Sequence, residues 1–110
     1  MARKFNVAVI GCGAVAEVFH IPFLRFVQKA KISMLVDINI SRARYLAQKF
    51  GLNTAQIESN YIKAVDDDNI DAALVLTSPS QHSKIVVDLS SSGKHVFCEK
   101  PLAMDAVEAK

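Results

Sequence analysis

Lys100 sits between Glu99 and Pro101, directly after the run Gly93-Lys94-His95-Val96-Phe97-Cys98. That run reads as a buried strand, so the lysine and glutamate fall at a strand's C-terminal end. A lysine in such a cleft is less bland than one on an open surface. Partial desolvation and a neighbouring positive charge both lower the pKa of an ammonium group. Such a group suits hydrogen bonding to a substrate oxygen, or its protonation. Glu99 either orients the lysine or caps the following turn. His82, in the first turn of a helix, is a second candidate, with a surface or capping role as its alternative.

The other chemistry-bearing stretch is Gly11-Cys12-Gly13-Ala14-Val15-Ala16. Its first glycine permits a tight turn. Its second lets backbone approach a pyrophosphate without a Cβ in the way, and a small third residue lets helix and strand pack closely. Amides at the helix start then face the phosphates. An ordinary glycine-rich turn is the alternative for this stretch alone. Asp37 shifts the balance, because it lies about twenty residues past the turn at the end of the next strand. A carboxylate there accepts hydrogen bonds from ribose hydroxyls and repels a 2′-phosphate, which favours NAD over NADP. Arg42 and Arg44 are the residues that speak for NADP, and both are expected to be solvated helix residues.

The elements that position these residues alternate. Phe5 to Ile10 reads as a buried parallel strand. A helical pattern follows from Ala14, with Val15, Val18 and Phe19 on one face, and Pro22 breaks or kinks it. Pro22 to Gln28 forms a further turn or two. Lys31 to Asp37 is the second strand. Ser41 is the expected N-cap of a helix through Phe50, with Gly51 as its stop. Thr54 to Ile57 is a short third strand, Ser59 to Val65 a helix, and Asp66 to Asn69 a solvated turn rather than a calcium loop. Asp71 to Leu76 is the fourth strand, Ser80 to Ser92 a helix ended by Gly93, and Lys94 to Cys98 the fifth strand. A last helix begins at Asp105. Strand–helix alternation of this kind means parallel βαβ units. The expected fold is α/β: a Rossmann-type, doubly wound parallel sheet in three α/β/α layers. In it, Thr77, Ser78 and Pro79 join the lysine motif at the cofactor end of the strands.

Bulk composition agrees with one globular domain. The chain has 110 residues, 51% of them hydrophobic and 22% charged, with net charge +2. A chain of this size buries roughly two-thirds of its unfolded surface. No basic stripe interleaved with aromatics supports a nucleic-acid partner. No apolar run is long enough to span a bilayer, and no cleavable leader is apparent. Two cysteines, Cys12 and Cys98, are too few for a disulfide framework or a metal site. The expectation is a cytoplasmic, reduced protein with no metal. Cys12 is read as a small filler whose amide matters more than its thiol, and Cys98 as a buried strand-end residue.

Taken together, Gly11 to Ala16 with His20-Ile21-Pro22, Asp37, Thr77 through His82, and Gly93 through Ala103 resemble the Gfo/Idh/MocA oxidoreductases. The resemblance spans essentially the whole chain, and its lysine motif is the specific part. It implies an N-terminal NAD(P)-binding Rossmann domain over residues 1–110, followed in family members by a larger α/β substrate domain. The chain would thus end before the sheet's last strand and before that domain. It further implies hydride transfer between NAD(P) and a sugar, cyclitol or related compound, with Lys100 catalytic beside the nicotinamide. Gly11, Cys12, Gly13, Ala14, Val15, Ala16, Asp37, Thr77, Ser78, Pro79, His82, Glu99, Lys100 and Pro101 form the implied cofactor site. Family members assemble through the second domain, so a homo-oligomer is implied for the full-length protein. A non-catalytic, redox-sensing dinucleotide module is the competing reading. A domain for another adenine nucleotide is a third.

Overall fold

The computed structural model describes residues 4–27, 29–77 and 79–98. Five strands form one parallel sheet: β1 (Phe5–Ile10), β2 (Ala30–Val36), β3 (Gln56–Glu58), β4 (Ala72–Val75) and β5 (His95–Cys98). Their spatial order is β3-β2-β1-β4-β5. The chain therefore builds outward from β1 in one direction, crosses back, and builds outward from β1 in the other. Loops leaving β1 and β4 diverge, which opens a crevice at their C-terminal ends. This is the doubly wound fold expected from the alternating pattern.

Helices α1 (Ile21–Phe26) and α2 (Ile40–Lys49) cover one face. There Val9, Ile32 and Leu35 pack against Ala16, Ile21, Ala43 and Leu46. Helices α3 (Ile62–Val65) and α4 (Pro79–Ser91) cover the other face. There Ala8, Ile10, Met34, Val36, Ala73 and Val75 meet Ala64, Ile85 and Leu89. Among the described residues, none of these helices is long and apolar enough to cross a membrane.

Strand parity changes once within β2. Ile32 and Met34 are two apart yet pack on opposite faces. The register between β1 and β2 slips at this point, with Val7 opposite Ile32 and Ala8 opposite Met34. Ser33 is the extra, bulged residue, and a one-residue slip reverses every later side chain. Its hydroxyl is buried with no hydrogen-bond partner among the described residues.

Several element boundaries differ from expectation for identifiable reasons. The helix after the glycine turn does not break at Pro22; it widens into a π-helical turn over Ala16–His20 and runs on into α1. The Ile21 N–H donates to the Ala16 carbonyl, one residue before the proline that has no N–H to donate. The wider turn places Ala16 and Ile21 in the core. Val15, Val18 and Phe19, expected as one helix face, are exposed instead. Asn39, not Ser41, caps α2, its side chain accepting from the Ser41 N–H. Gly51 follows α2 with φ +66°, the left-handed stop expected there. The third strand starts at Gln56 rather than Thr54. The third helix covers Ile62–Val65 only, because Asn60 Oδ1 accepts from the Ile62 N–H in a turn.

On the α1 face, the sheet beyond α1 is open among the described residues. Phe5, Val7, Phe23, Leu74 and Phe97 line an apolar groove of about 490 Å³ there.

Candidate functional site

A groove of about 830 Å³ opens where β1, β2 and β4 end. This is within the usual size of a small-molecule or cofactor site. Gly11, Gly13, Asp37 and Thr77 all line it, so the fold gathers residues from three separate stretches of sequence.

The two glycines of the turn serve different purposes. Gly11 has φ +103°, and a Cβ there would stand 2.9 Å from the Leu76 carbonyl carbon. It is required by both conformation and contact with the segment leaving β4. At Gly13 no heavy atom lies within 4 Å of the position a Cβ would take. The space beside Gly13 is open toward the groove. A helix begins immediately after it, and the first N–H groups of a helix have no intrahelical acceptor. Ala14 and Val15 are exposed, while Ala16 is buried against the sheet.

Cys12 is fully buried, and its thiol contacts the Val36 carbonyl oxygen at 3.6 Å. Burial, followed by the Asp37 charge, pushes the thiol pKa up to about 12. The thiol is therefore protonated at neutral pH and a poor nucleophile. Its N–H is the active part, donating to Asp37 Oδ2 at 2.7 Å. Asp37 Oδ1 accepts from the Asn39 N–H at 2.8 Å. Both carboxylate oxygens are thus held by backbone amides, and each keeps a lone pair for another donor.

Thr77 contributes differently. Its Oγ1 is buried and has no hydrogen-bond partner among the described residues. Ser78, Glu99, Lys100 and Pro101 lie outside the described residues. Pro79 and His82 fall in α4, with side chains outside the described set.

Two side-chain clusters escaped sequence reasoning. Arg42, expected to be solvated, donates through Nε to the Cys12 carbonyl at 2.9 Å and through a terminal nitrogen to Glu17 at 3.0 Å. Tyr45 and Lys49 also donate to Glu17, at 3.0 and 2.7 Å. Led by Lys49 and then Arg42, these donors hold the Glu17 pKa down at about 2. The spacing of Arg42, Tyr45 and Lys49 along one helix face was the available signal, but nothing in sequence pointed to Glu17 as their partner. In the second cluster Tyr61 donates to Asp88 at 2.6 Å, and Lys84 stands 3.5 Å from the same oxygen. Tyr61 and Lys84 both line the groove. The Asp88 hydrogen bond raises the tyrosine pKa and lowers that of the aspartate.

The donor set fits an adenine dinucleotide. Open space beside Gly13 suits a pyrophosphate, the Asp37 carboxylate suits ribose hydroxyls, and the Thr77 hydroxyl has unused bonding capacity. The family model for the Gfo/Idh/MocA oxidoreductases, with an NAD-binding Rossmann fold, matches residues 5–110. The chain belongs to this family.

Similar proteins include inositol dehydrogenases and a ketoreductase by name. Myo-inositol 2-dehydrogenase of Thermotoga maritima is 31% identical over 94% of the chain and 30% of its own length. Inositol 2-dehydrogenase of Burkholderia cenocepacia is 35% identical over 92% of the chain and 30% of its own length. Among solved structures, KijD10, a 3-ketoreductase from Actinomadura kijaniata in complex with NADP, superposes with a TM-score of 0.79 at 26% identity, covering 91% of this chain and 31% of its own. GenD2 from gentamicin A biosynthesis, in complex with NAD, has a TM-score of 0.81 at 28% identity, covering 93% of this chain and 28% of its own. The chain thus spans about 30% of the length of the curated relatives it matches.

Proposed function

We propose that residues 1–110 form the cofactor domain of an oxidoreductase that transfers hydride between NAD and a hydroxyl or carbonyl carbon of a sugar, cyclitol or related compound. The observation that carries this reading is the pairing of open space at Gly13 with the Asp37 carboxylate in one groove. A bound nicotinamide would supply the hydride donor or acceptor.

In this reading the turn offers its amides from Gly13 to Ala16 to the pyrophosphate, because the Gly11 and Cys12 N–H groups already donate to Val36 and Asp37. Asp37 accepts from the adenosine ribose hydroxyls with the lone pairs its two backbone bonds leave free. The Cys12 and Asn39 amides hold that carboxylate in place before any ligand arrives. Thr77 Oγ1 donates to a cofactor oxygen, which gives its buried hydroxyl a partner. Ser78, Pro79, His82, Glu99 and Pro101 complete the cofactor end of the cleft. Lys100 hydrogen-bonds the reacting substrate oxygen and exchanges a proton with it as hydride leaves or arrives. The inositol dehydrogenase and ketoreductase activities in the relatives' names support the substrate class. NAD is preferred because a 2′-phosphate would meet the Asp37 charge. A cytoplasmic location and a homo-oligomeric full-length protein belong to the same reading.

The test is a titration with NADH followed by nicotinamide fluorescence. The parent chain binds, and Asp37→Ala weakens binding about a hundredfold, as expected for two lost hydrogen bonds to a charged acceptor at about 1.5 kcal/mol each. Equal affinity in the variant, or no binding by the parent, overturns the proposal.

A further inference from the structure

The groove presents a carboxylate to the ribose, while Arg42, bonded to the same turn, is turned to another task. Asp37 and Arg42 flank the same residue: Asp37 accepts from the Cys12 N–H, and Arg42 donates to the Cys12 carbonyl. Yet Asp37 lines the groove and Arg42 does not. What holds the guanidinium back is Glu17. It lies in the π-helical turn after the glycine loop and faces Arg42, Tyr45 and Lys49 on one side of α2. Arg42 is pinned at two points, and its guanidinium also stands 5.1 Å from the centre of the Tyr45 ring.

We propose that Glu17 sets cofactor choice by tethering Arg42 behind the glycine turn, so that this arginine does not reach the ribose 2′ position beside Asp37. Discrimination then has two parts. Asp37 repels a 2′-phosphate directly, and Glu17 withholds the cation that would compensate. The Arg42 side chain keeps 34% of its surface exposed, so without Glu17 only the single Nε bond to the Cys12 carbonyl and the Tyr45 ring, among the described residues, oppose a swing of its guanidinium toward an anion. An arginine fork is well matched to phosphate, and a released Arg42 would have the reach and charge to bind one. Glu17 is a positioning residue here, because it acts through Arg42 and touches no cofactor.

This inference rests on the dinucleotide reading of the groove, and the experiment separates the two. NADH and NADPH affinities are measured for the parent chain, Glu17→Gln, Lys49→Met, Asp37→Ser and the Asp37→Ser/Glu17→Gln double variant. Glu17→Gln removes the charge that holds Arg42 and shifts the NADPH-to-NADH affinity ratio toward NADPH by about fivefold. In the Asp37→Ser background the same change gives tenfold or more beyond the single aspartate variant. Lys49→Met removes a Glu17 partner while leaving the Arg42 tether, and leaves the ratio unchanged. A ratio unmoved by Glu17→Gln in both backgrounds overturns the inference while NADH binding persists. An equal shift in Lys49→Met also overturns it, since that would mark a general loosening between the helices. If the parent chain binds neither dinucleotide, the functional reading falls with it.

Discussion

The two walls of the groove are built on opposite principles. The wall after β1 and β2 is braced, its side chains saturated as far as shape goes: Asp37, the Cys12 amide and carbonyl, Arg42 and Glu17 are bonded within the wall, with Asp37 lone pairs left for a ligand. The wall after β4 leaves the Thr77 hydroxyl buried and without a partner among the described residues. A saturated wall keeps its shape whether or not a ligand is present. An unsatisfied one carries a desolvation cost that a ligand can relieve. The first wall therefore acts as a rigid template, and the second gains from binding.

The largest effect is expected where the walls touch. Gly11→Ala sets a Cβ 2.9 Å from the Leu76 carbonyl carbon at a φ that side chains rarely adopt. Neither the backbone angle nor the backbone neighbour yields cheaply. The substitution should cost roughly 2–4 kcal/mol of stability, lowering the denaturation midpoint in urea, with cofactor binding lost as a consequence. A variant of parental stability would show that the walls are not braced against each other here.

Next comes Gly13→Val, two residues away and opposite in kind. Its side chain enters open space, so stability should stay within about 0.5 kcal/mol. NADH affinity should nevertheless fall by about a hundredfold, because the side chain occupies the position assigned to the pyrophosphate. Thermal denaturation and NADH titration on the same sample check both halves. Unchanged affinity would remove the phosphate from this wall.

Legibility in sequence follows how local each cause is. The strands Phe5–Ile10 and Ala72–Val75 were readable because their buried stretches, Val7–Ile10 and Ala72–Val75, are apolar runs, as in a strand covered on both faces. The glycine turn was readable because its steric needs lie within six residues. The cap of α2 was misplaced by two residues: Asn39 and Ser41 are both good cap formers, and the choice was made by Asp37 Oδ1 holding the Asn39 N–H. The bulge at Ser33 left no sequence mark, although it decides which face Met34 and Val36 join. Glu17 was invisible for a different reason. Its partners lie 25, 28 and 32 residues away, and only the folded packing of α2 against the first helix brings them together.

Thr77→Val gives the smallest effect and the sharpest contrast between the walls. Valine keeps the volume and branching of threonine and removes only the hydroxyl. Elsewhere in a protein that exchange costs stability, because a hydrogen bond disappears. Here no partner is lost among the described residues, and a buried group that dislikes its surroundings is replaced by one that suits them. The variant should be more stable by up to about 1 kcal/mol, seen as a rise of several degrees in melting temperature. Its affinity for NADH should fall about three- to tenfold, since the bond proposed between the hydroxyl and the cofactor is gone. Stability and affinity moving in opposite directions is the signature of a polar group kept for a ligand rather than for the fold. Were both to fall together, Thr77 would belong with Asp37 as part of a wall already complete.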